Sequence, residues 1–218
     1  MVTILYLIRH GETEGAETRR YKGSIDVPLS RNGVKQMEEV AEYLFRSIRN
    51  SSSSPGSAPG LLAAVYCSDL SRAMRSAEII GAPHPLDPIV VPGLRERNFG
   101  IWEGMTFDEI RTRYPNEFSA WAGNPLKFSP MGGESTREVR TRAVGALDEI
   151  IAAHPGKQIA VISHGGVTRI LLCHFLGVPL ENIFRIDQDY AALNIIELWD
   201  QYPVVKLVNG VTYGRDVG

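Results

Sequence analysis

The chain has 218 residues, 44% of them hydrophobic and 22% charged, with a formal net charge of -2. This length suits one large α/β domain with a substantial buried core. The charge balance lacks the basic excess typical of nucleic-acid or membrane-surface binding, which argues against both partners and requires any anion-binding site to be local. Met1 leads almost directly into a strand too short to cross a bilayer, so we expect a cytoplasmic protein without a targeting segment.

The first predicted strand is the apolar run 2–8, which ends at Arg9 and His10. Parallel strands of α/β proteins have such near-continuous apolar runs, and ligands bind beyond their carboxyl ends. The loop after this strand is therefore where we expect chemistry. Apolar residues at helical spacing predict a helix over residues 30–49. Residues 50–60, rich in Ser, Pro and Gly, have the composition of a flexible surface insertion.

A second strand and helix follow the insertion. Residues 62–67 predict a buried strand, and residues 71–80 predict a helix that Gly81 closes. Arg72 lies in the first turn of this helix, so it too follows the end of a strand. A short strand is predicted at residues 89–91.

The longest irregular segment, residues 94–134, is rich in glycine, aromatic residues and charge. Segments of this kind inside a compact domain are usually lids or binding loops. Within it, Thr106 and Glu109 have the spacing of a capping box, which predicts a short helix that stops before Pro115. The same spacing predicts a long helix over residues 135–154.

A third unit repeats the pattern of the first. Residues 158–163 predict a strand and residues 167–176 a helix ended by Gly177. This strand also leads into a histidine followed by glycine, at His164 and Gly165. Two strand-end histidines in the same context indicate a shared site.

Residues 193–199 and 204–208 predict a terminal hairpin whose exposed edge could pair between the subunits of a homodimer. Strands that alternate with helices indicate an α/β fold: a three-layer α/β/α sandwich with a mostly parallel central sheet and a small lid inserted. We predict a single domain over residues 1–218. Cys67 and Cys173 have no CxxC spacing and lie among apolar neighbours, so we expect reduced, buried thiols.

The residues that end these strands suit phosphate chemistry. Guanidinium groups such as those of Arg9 and Arg72 bind phosphate oxygens in bidentate fashion, and helix N-termini add backbone donors. An imidazole among them can attack phosphorus while the cations offset charge on the phosphoryl oxygens. The leaving alcohol needs a proton, which Glu96 in the predicted lid could supply as a general acid. Glu12 and Glu103 are the alternatives for that role.

The ordered motifs resemble those of the histidine phosphatase superfamily, which includes the cofactor-dependent phosphoglycerate mutases. The resemblance covers nearly the whole chain apart from residues 50–60. The motifs are Arg9-His10-Gly11-Glu12, Ser68-Asp69-Leu70-Ser71-Arg72-Ala73, Glu96 with Gly100 and Gly104, Gly132-Gly133-Glu134-Ser135, and Ser163-His164-Gly165-Gly166. The family resemblance implies the phosphoglycerate mutase-like fold with no metal and no cofactor.

The resemblance also implies roles for individual residues. His10 is the residue that becomes phosphorylated, and Glu96 acts as acid and then as base. His164 joins them as a catalytic residue. The residues implied to bind the phosphoryl group are Arg9, Arg72, His164, Thr13 and the backbone at Gly165. The partner is a small phosphorylated metabolite.

The sequence departs from the mutases shortly after the first motif. Gly15-Ala16 stands where mutases of this family usually have Trp-Asn, so one side-chain amide that would contact the phosphate is missing. Segments 100–106 and 187–194 resemble the phosphatase branch, which includes the α-ribazole phosphatases of cobalamin synthesis. We therefore expect a phosphomonoester hydrolase, with α-ribazole 5'-phosphate as the best-matched substrate.

Other functions remain open at this point. A broad-specificity phosphatase, a phosphoglycerate mutase and a phosphate-ester binding module without efficient turnover all fit the motifs. A metallohydrolase fits less well, because the sequence has no HExxH-like spacing. Four aromatic residues are candidates for the wall of a pocket for an aromatic or nucleotide-like ester, with core packing as the alternative: Tyr21, Phe99, Trp102 and Trp121.

Overall fold

The computed structural model describes residues 1–51, 60–200 and 202–212, so most of the predicted insertion at 50–60 lies outside the described residues. Six strands form one sheet. They are β1 (Val2–Arg9), β2 (Ala64–Cys67), β3 (Ile89–Val90), β4 (Gln158–Ser163), β5 (Leu193–Trp199) and β6 (Tyr202–Gly210). The α-helices are α1 (Arg31–Ser51), α2 (Ser71–Gly81), α3 (Phe107–Arg113), α4 (Pro115–Gly123), α5 (Thr136–Ala152) and α6 (Gly165–Leu176).

The strand order is β3-β2-β4-β1-β5-β6. The first four strands in this order run parallel, and β5 and β6 are antiparallel to their neighbours, as the predicted hairpin requires. In the register, Arg9 lies opposite Ser163, and Cys67 lies opposite Ile162. Three neighbouring strands therefore end at nearly the same level, which brings the residues that follow them to one edge of the sheet.

The two faces of the sheet are covered by different helices, because successive side chains of a strand point to opposite faces. Tyr6 and Ile8 of β1 pack in a core cluster with apolar residues of α1 and α2. Leu5 and Leu7 of the same strand pack in a second cluster with residues of α5 and α6. Each fully buried Leu or Ile contributes about 1.5–3 kcal/mol from its removal from water. The predicted three-layer α/β arrangement is confirmed.

Both predicted capping boxes are formed. Glu109 donates its backbone N–H to the Thr106 hydroxyl at 3.2 Å, and the Thr106 N–H donates to the Glu109 carboxylate at 3.0 Å. Ser135 and Glu138 make the same reciprocal pair at the start of α5. The sequence reading missed α4, which begins at Pro115 directly after α3. Proline suits a first helical position, because its φ is already helical and its missing N–H has no partner to lose there.

Helix α2 ends at Gly81, but not for the predicted reason. Gly81 is the last residue of α2, and the residue after it, Ala82, has right-handed helical geometry, so no left-handed glycine closes the helix. The chain instead turns back closely over Gly81, where a Cβ atom would lie 2.4 Å from the carbonyl oxygen of Leu86. At the end of α6, by contrast, Gly177 adopts the predicted left-handed conformation with φ of 63°.

Both cysteines are buried and free, as predicted, and burial raises the pKa of the Cys67 thiol to about 12. Within residues 1–51, 60–200 and 202–212, none of the helices combines the length and apolarity that crossing a bilayer needs.

Candidate active site

A cavity of about 300 Å³ opens at the carboxyl edge of the sheet, where β1, β4 and β2 end. Of the predicted site residues, the structure brings six to its wall and places the seventh, His164, directly behind His10. The six at the wall are Arg9, His10, Thr13, Arg72, Glu96 and Gly165. We call Arg9, His10, Arg72 and His164 the floor of the site. The strand ends that the sequence predicted to meet therefore do meet.

His10 is only 5% exposed, and its ring has one defined hydrogen bond. Nδ1 lies 2.7 Å from the carbonyl oxygen of Gly11. A carbonyl oxygen can only accept, so the neutral ring carries its proton on Nδ1 and keeps the lone pair on Nε2. Burial lowers the pKa of His10 well below 6.5, and the positive charges of Arg9 and Arg72 lower it further. At neutral pH, the ring of His10 is therefore uncharged, and Nε2 carries a free lone pair at the cavity wall.

His164 is fully buried, with its ring centroid 5.1 Å from that of His10. Arg72 Nε donates to its Nδ1 at 3.3 Å, so the ring proton is on Nε2, which donates to the Ser68 hydroxyl at 2.7 Å. Burial and then the neighbouring His10 and Arg72 lower the pKa of His164 well below 6.5. Both ring nitrogens thus have partners, and His164 holds Arg72 in place from behind the cavity wall.

Arg72 is 2% exposed and is fixed by the loop before α1 as well as by His164. Its Nη1 donates to the carbonyl of Ile25 at 2.8 Å, and its Nη2 donates to the carbonyl of Gly23 at 2.7 Å. Burial lowers the pKa of this guanidinium. The three contacts use three of its five N–H groups, so Arg72, which lines the cavity, keeps two donors for an anion.

Arg9 is held from the opposite side by the segment that precedes β5. Its Nη1 donates to the carbonyl of Gln188 at 2.6 Å, and its guanidinium lies 3.9 Å from the centroid of the Tyr190 ring. The Tyr190 ring is also 5.8 Å from the ring of His10. Tyr190 therefore belongs to the site, although sequence reasoning singled it out only as part of a tail motif.

Lys22 is a site residue that sequence reasoning missed. Its Nζ donates to the hydroxyl of Thr13 at 2.7 Å and to the carbonyl of Glu14. Burial and the charge of Arg72 lower the pKa of Lys22. Thr13 was predicted as a phosphate donor, and the structure shows it bound to this ammonium. The signal that could have found Lys22 is its place beside Gly23, which belongs to the loop that supports the first motif.

Glu96 is the one carboxylate among the described residues that line the cavity. Its Oε2 accepts the N–H of Gly166 at 3.0 Å, and its Oε1 accepts the N–H of Arg97 at 2.9 Å. The two alternatives are engaged elsewhere. Glu12 accepts the Ser30 hydroxyl at 2.7 Å, and Glu103 accepts the N–H of Ser24 at 2.6 Å.

Gly166 gives Glu96 its place at the N-terminus of α6. A Cβ atom there would lie 2.6 Å from Glu96 Oε1. Because Gly166 has no side chain, the carboxyl group can approach the helix end closely enough to accept the otherwise unpaired N–H of Gly166.

Away from the floor, the cavity wall is largely apolar. Helices α3 and α4 lie at the mouth, and the aromatic rings of Phe107, Phe118 and Trp121 contact one another there at centroid distances of 5.0–6.0 Å. The four aromatic residues predicted from the sequence all reach the cavity wall. Its apolar and aromatic lining consists of Tyr21, Phe99, Trp102, Phe107, Ile110, Phe118, Trp121, Ile170, Ile183, Phe184 and Tyr190.

Within the described part of the chain, no group of three or more His, Cys, Asp or Glu side chains has an arrangement that could hold a metal ion.

The chain is similar to several known proteins. It is 31% identical to "Phosphoserine phosphatase 1" of Hydrogenobacter thermophilus, over 94% of this chain and 91% of that protein. It is 35% identical to "Bifunctional protein Rv2228c" of Mycobacterium tuberculosis, of which it spans 55%. It is 25% identical to "Adenosylcobalamin/alpha-ribazole phosphatase" of Escherichia coli, over 96% of this chain and 97% of that protein.

A solved structure has the same fold. "Bacillus stearothermophilus YhfR" superposes with a TM-score of 0.81 at 31% identity, over 96% of this chain and 98% of that one. The family model of the histidine phosphatase superfamily (branch 1) matches residues 5–210. The predicted enzyme class, a phosphoric monoester hydrolase, is consistent with the phosphatases among these relatives. The chain belongs to the histidine phosphatase superfamily.

Proposed function

We propose that this protein hydrolyses phosphate monoesters through a phosphohistidine intermediate on His10. The observation that carries the proposal is the tautomer of His10: its Nδ1–H is committed to the Gly11 carbonyl, which leaves a nucleophilic Nε2 at a cavity lined by cations. Arg9, Arg72 and Lys22 supply positive charge at the same wall. Preorganised cations of this kind stabilise the charge on the transferring phosphoryl oxygens.

The reaction has two steps. In the first, Nε2 of His10 forms a bond to phosphorus while the bond from phosphorus to the ester oxygen breaks, and protonated Glu96 gives its proton to that oxygen. In the second, the Glu96 carboxylate takes a proton from water, whose oxygen attacks phosphorus and releases inorganic phosphate from His10. His164 acts through Arg72, which it holds in position, and Thr13 with the N-terminal backbone at Gly165 adds donors for the phosphate.

For the substrate, we propose a small phosphorylated metabolite with an apolar, planar leaving group, and α-ribazole 5'-phosphate is the best-matched example. The aromatic wall formed by Phe107, Phe118 and Trp121 supports this choice, because it offers far more apolar surface than a phosphate alone or a short polar ester needs. Phosphoserine, named in the H. thermophilus relative, is the main competing substrate. We place the reaction in the cytoplasm and assign it no metal or cofactor.

The mechanism is tested with His10→Ala and a matched control, His174→Ala, which removes an exposed histidine of α6 far from any role in the chemistry. We expect His10→Ala to lower kcat/KM for an aryl phosphate by about 10⁴-fold or more, as loss of a nucleophile does elsewhere, and His174→Ala to leave it unchanged. An active His10→Ala protein would show that the phosphoryl group does not pass through this residue.

The substrate class is tested by comparing kcat/KM for α-ribazole 5'-phosphate, naphthyl phosphate and phosphoserine. We expect the two esters whose leaving groups carry an aromatic ring system to be preferred over phosphoserine. A preference for phosphoserine would move the assignment to the amino-acid phosphatases.

A further inference from the structure

Glu96 lies in a loop outside the helices and strands, so no regular backbone hydrogen bonds fix its position. A general acid, however, needs its carboxyl group held within reach of the leaving-group oxygen. The chain leads to Glu96 through a short 3-10 helix at Pro92–Leu94 and then extends at Arg95. The carbonyl groups from Gly93 to Glu96 point to side chains of other elements.

Arg142 of α5 donates hydrogen bonds to most of these carbonyl groups. Its Nη1 donates to the carbonyls of Gly93 at 2.9 Å and Arg95 at 2.7 Å. Its Nη2 donates to the carbonyl of Glu96 itself at 3.1 Å. The carbonyl between them, that of Leu94, accepts the hydroxyl of Ser163 at 3.1 Å. One guanidinium thus binds three of the four consecutive carbonyls that end at Glu96.

Arg142 is itself held by Glu134. Its Nε donates to Glu134 Oε1 at 2.7 Å, and its Nη2 also donates to Glu134 Oε2 at 2.9 Å. All five N–H donors of the guanidinium are therefore used, two on a carboxylate and three on the loop. Lysine has three donors on a single nitrogen and cannot reproduce this planar fork.

We call Arg142 and Glu134 together the clamp, because Glu134 fixes the chain on the other side of Glu96. Its Oε2 also accepts the N–H of Asn98 at 2.9 Å, and its own carbonyl accepts Nε of Arg97 at 2.7 Å. Burial opposes ionisation of Glu134, but the hydrogen bonds from Arg142 and Asn98 hold its pKa below the usual range. The loop is thus fixed before Glu96 by Arg142 and after it by Glu134.

The approach of α5 to this loop is also close. A Cβ atom on Gly93 would lie 2.7 Å from the Cβ of Ala146. The loop therefore rests directly on α5, one turn from Arg142, and has little room to shift.

We propose that Arg142, held by Glu134, is a positioning residue that acts through Glu96: it fixes the backbone from which the acid reaches the leaving-group oxygen. Arg142 does not contact the substrate. The inference rests on the proposed role of Glu96 as the general acid.

The experiment uses leaving groups to separate an effect on the acid from a general loss of structure. An acid matters greatly when the leaving alcohol is a poor leaving group and little when it is p-nitrophenolate. We would measure kcat/KM, which reports on the first phosphoryl transfer, for p-nitrophenyl phosphate and for an alkyl phosphate of similar size. The variants are Glu96→Gln, Arg142→Lys, Glu134→Gln and the double variant of Glu96 and Arg142. Arg140→Lys, at an exposed position of the same helix, is the matched control.

For Glu96→Gln we expect a loss of about 100-fold or more on the alkyl ester and less than about 10-fold on the aryl ester, in the range typical of general acids. Arg142→Lys should show the same selectivity with a smaller loss, about 30-fold on the alkyl ester and about threefold or less on the aryl ester. The double variant should be no worse on the alkyl ester than Glu96→Gln alone, since the two act as one unit. Arg140→Lys should match the parent protein.

Equal losses on both esters for Arg142→Lys, no loss at all, or losses that add to those of Glu96→Gln would overturn the proposal. Should Arg142→Lys fail to fold, as judged by its thermal transition, Glu134→Gln gives the same comparison with the arginine intact. A Glu96→Gln protein without leaving-group selectivity would instead overturn the acid role in the proposed function. That result is distinguishable from failure of the clamp alone, in which Glu96→Gln is selective and Arg142→Lys is not.

Discussion

On the floor of the site, Arg72 and His164 are almost fully buried, whereas Phe107 at the mouth is 43% exposed. The floor residues follow three neighbouring strands, and their partners are one another and nearby backbone carbonyls. The lid, residues 94–134, is joined to the rest of the chain by hydrogen bonds from several elements, such as those of Arg142 to the carbonyl of Arg95 and of the Tyr21 N–H to the carbonyl of Met105. In the proposed mechanism these two regions have different roles: the floor binds and transfers the phosphoryl group, and the lid supplies the acid and the surface that meets the leaving group.

The largest expected loss of kcat/KM comes from a substitution in the floor. Arg72→Lys removes the planar guanidinium that binds two carbonyls and His164 and that, in the proposed mechanism, also binds the phosphoryl group. We expect kcat/KM to fall by about 10²–10³-fold, the loss typical when a transition-state donor is removed. The lid control is Arg111→Lys, whose partner Asp108 lies on the same helix, α3. This exposed ion pair should matter little, and we expect less than about a fivefold change. Similar losses for both variants would remove the distinction between floor and lid.

Gly166→Ala tests the point where floor and lid meet. The new Cβ would lie 2.6 Å from Glu96 Oε1 and would push the acid from the N-terminus of α6. We expect kcat/KM for alkyl phosphates to fall about 30-fold and that for p-nitrophenyl phosphate to change about threefold or less, as partial loss of a general acid predicts. Gly145→Ala in α5 is the control, because a Cβ there meets nothing within 4 Å. That variant should be as active as the parent and slightly more stable.

The buried histidines of the floor predict that stability begins to fall just below neutral pH, whereas lid carboxylates with a lowered pKa, such as Glu134, affect stability only at lower pH. The pKa of His10 in the folded chain lies well below 6.5, so between these values the unfolded chain binds a proton that the folded chain does not. Stability is therefore complete above pH 6.5 and is lost as the pH falls below it. One such histidine lowers the free energy of unfolding by at most about 1.4 kcal/mol for each pH unit below pH 6.5. Urea titrations at both pH values should show a smaller loss for His10→Gln than for His174→Gln, and equal losses would contradict the assigned protonation state.

The smallest expected effect concerns the aromatic wall. Trp121→Ala should raise KM for naphthyl phosphate about fivefold, since burial of part of an aromatic ring contributes about 1 kcal/mol. KM for methyl phosphate should stay the same, because the phosphate still binds on the floor. A parallel change for both esters would mean that the lid acts on the chemistry as a whole rather than on the leaving group.

The floor was largely predictable from the sequence, and the lid only in part. Apolar runs that end in Arg9-His10 and in His164, with Arg72 in the first turn of a helix, place these residues at one sheet edge by the geometry of parallel strands. The two capping boxes were predicted because their signals lie three residues apart in the chain.

The contacts that sequence reasoning missed join a side chain to a distant backbone group. Arg142 binds carbonyls 46–49 residues away in the chain. Because every residue has a backbone carbonyl, the amino-acid sequence does not indicate which of them accepts the hydrogen bond. Lys22 was missed for the same reason, since one of its partners is the carbonyl of Glu14. Pro115 was interpreted only as the end of α3, and the helix that begins there was missed. Proline can stop one helix and occupy the first position of the next, so the residue alone does not distinguish the two cases.

The most direct test of the account is to trap the phosphorylated enzyme. The protein is mixed with a substrate whose phosphate is isotopically labelled, denatured within milliseconds in alkali, where phosphohistidine survives, and digested for mass spectrometry. The account predicts one labelled residue, His10, phosphorylated on Nε2, because Nδ1 carries the proton donated to Gly11. Label on another residue, label on Nδ1, or rapid turnover without any labelled protein would contradict it.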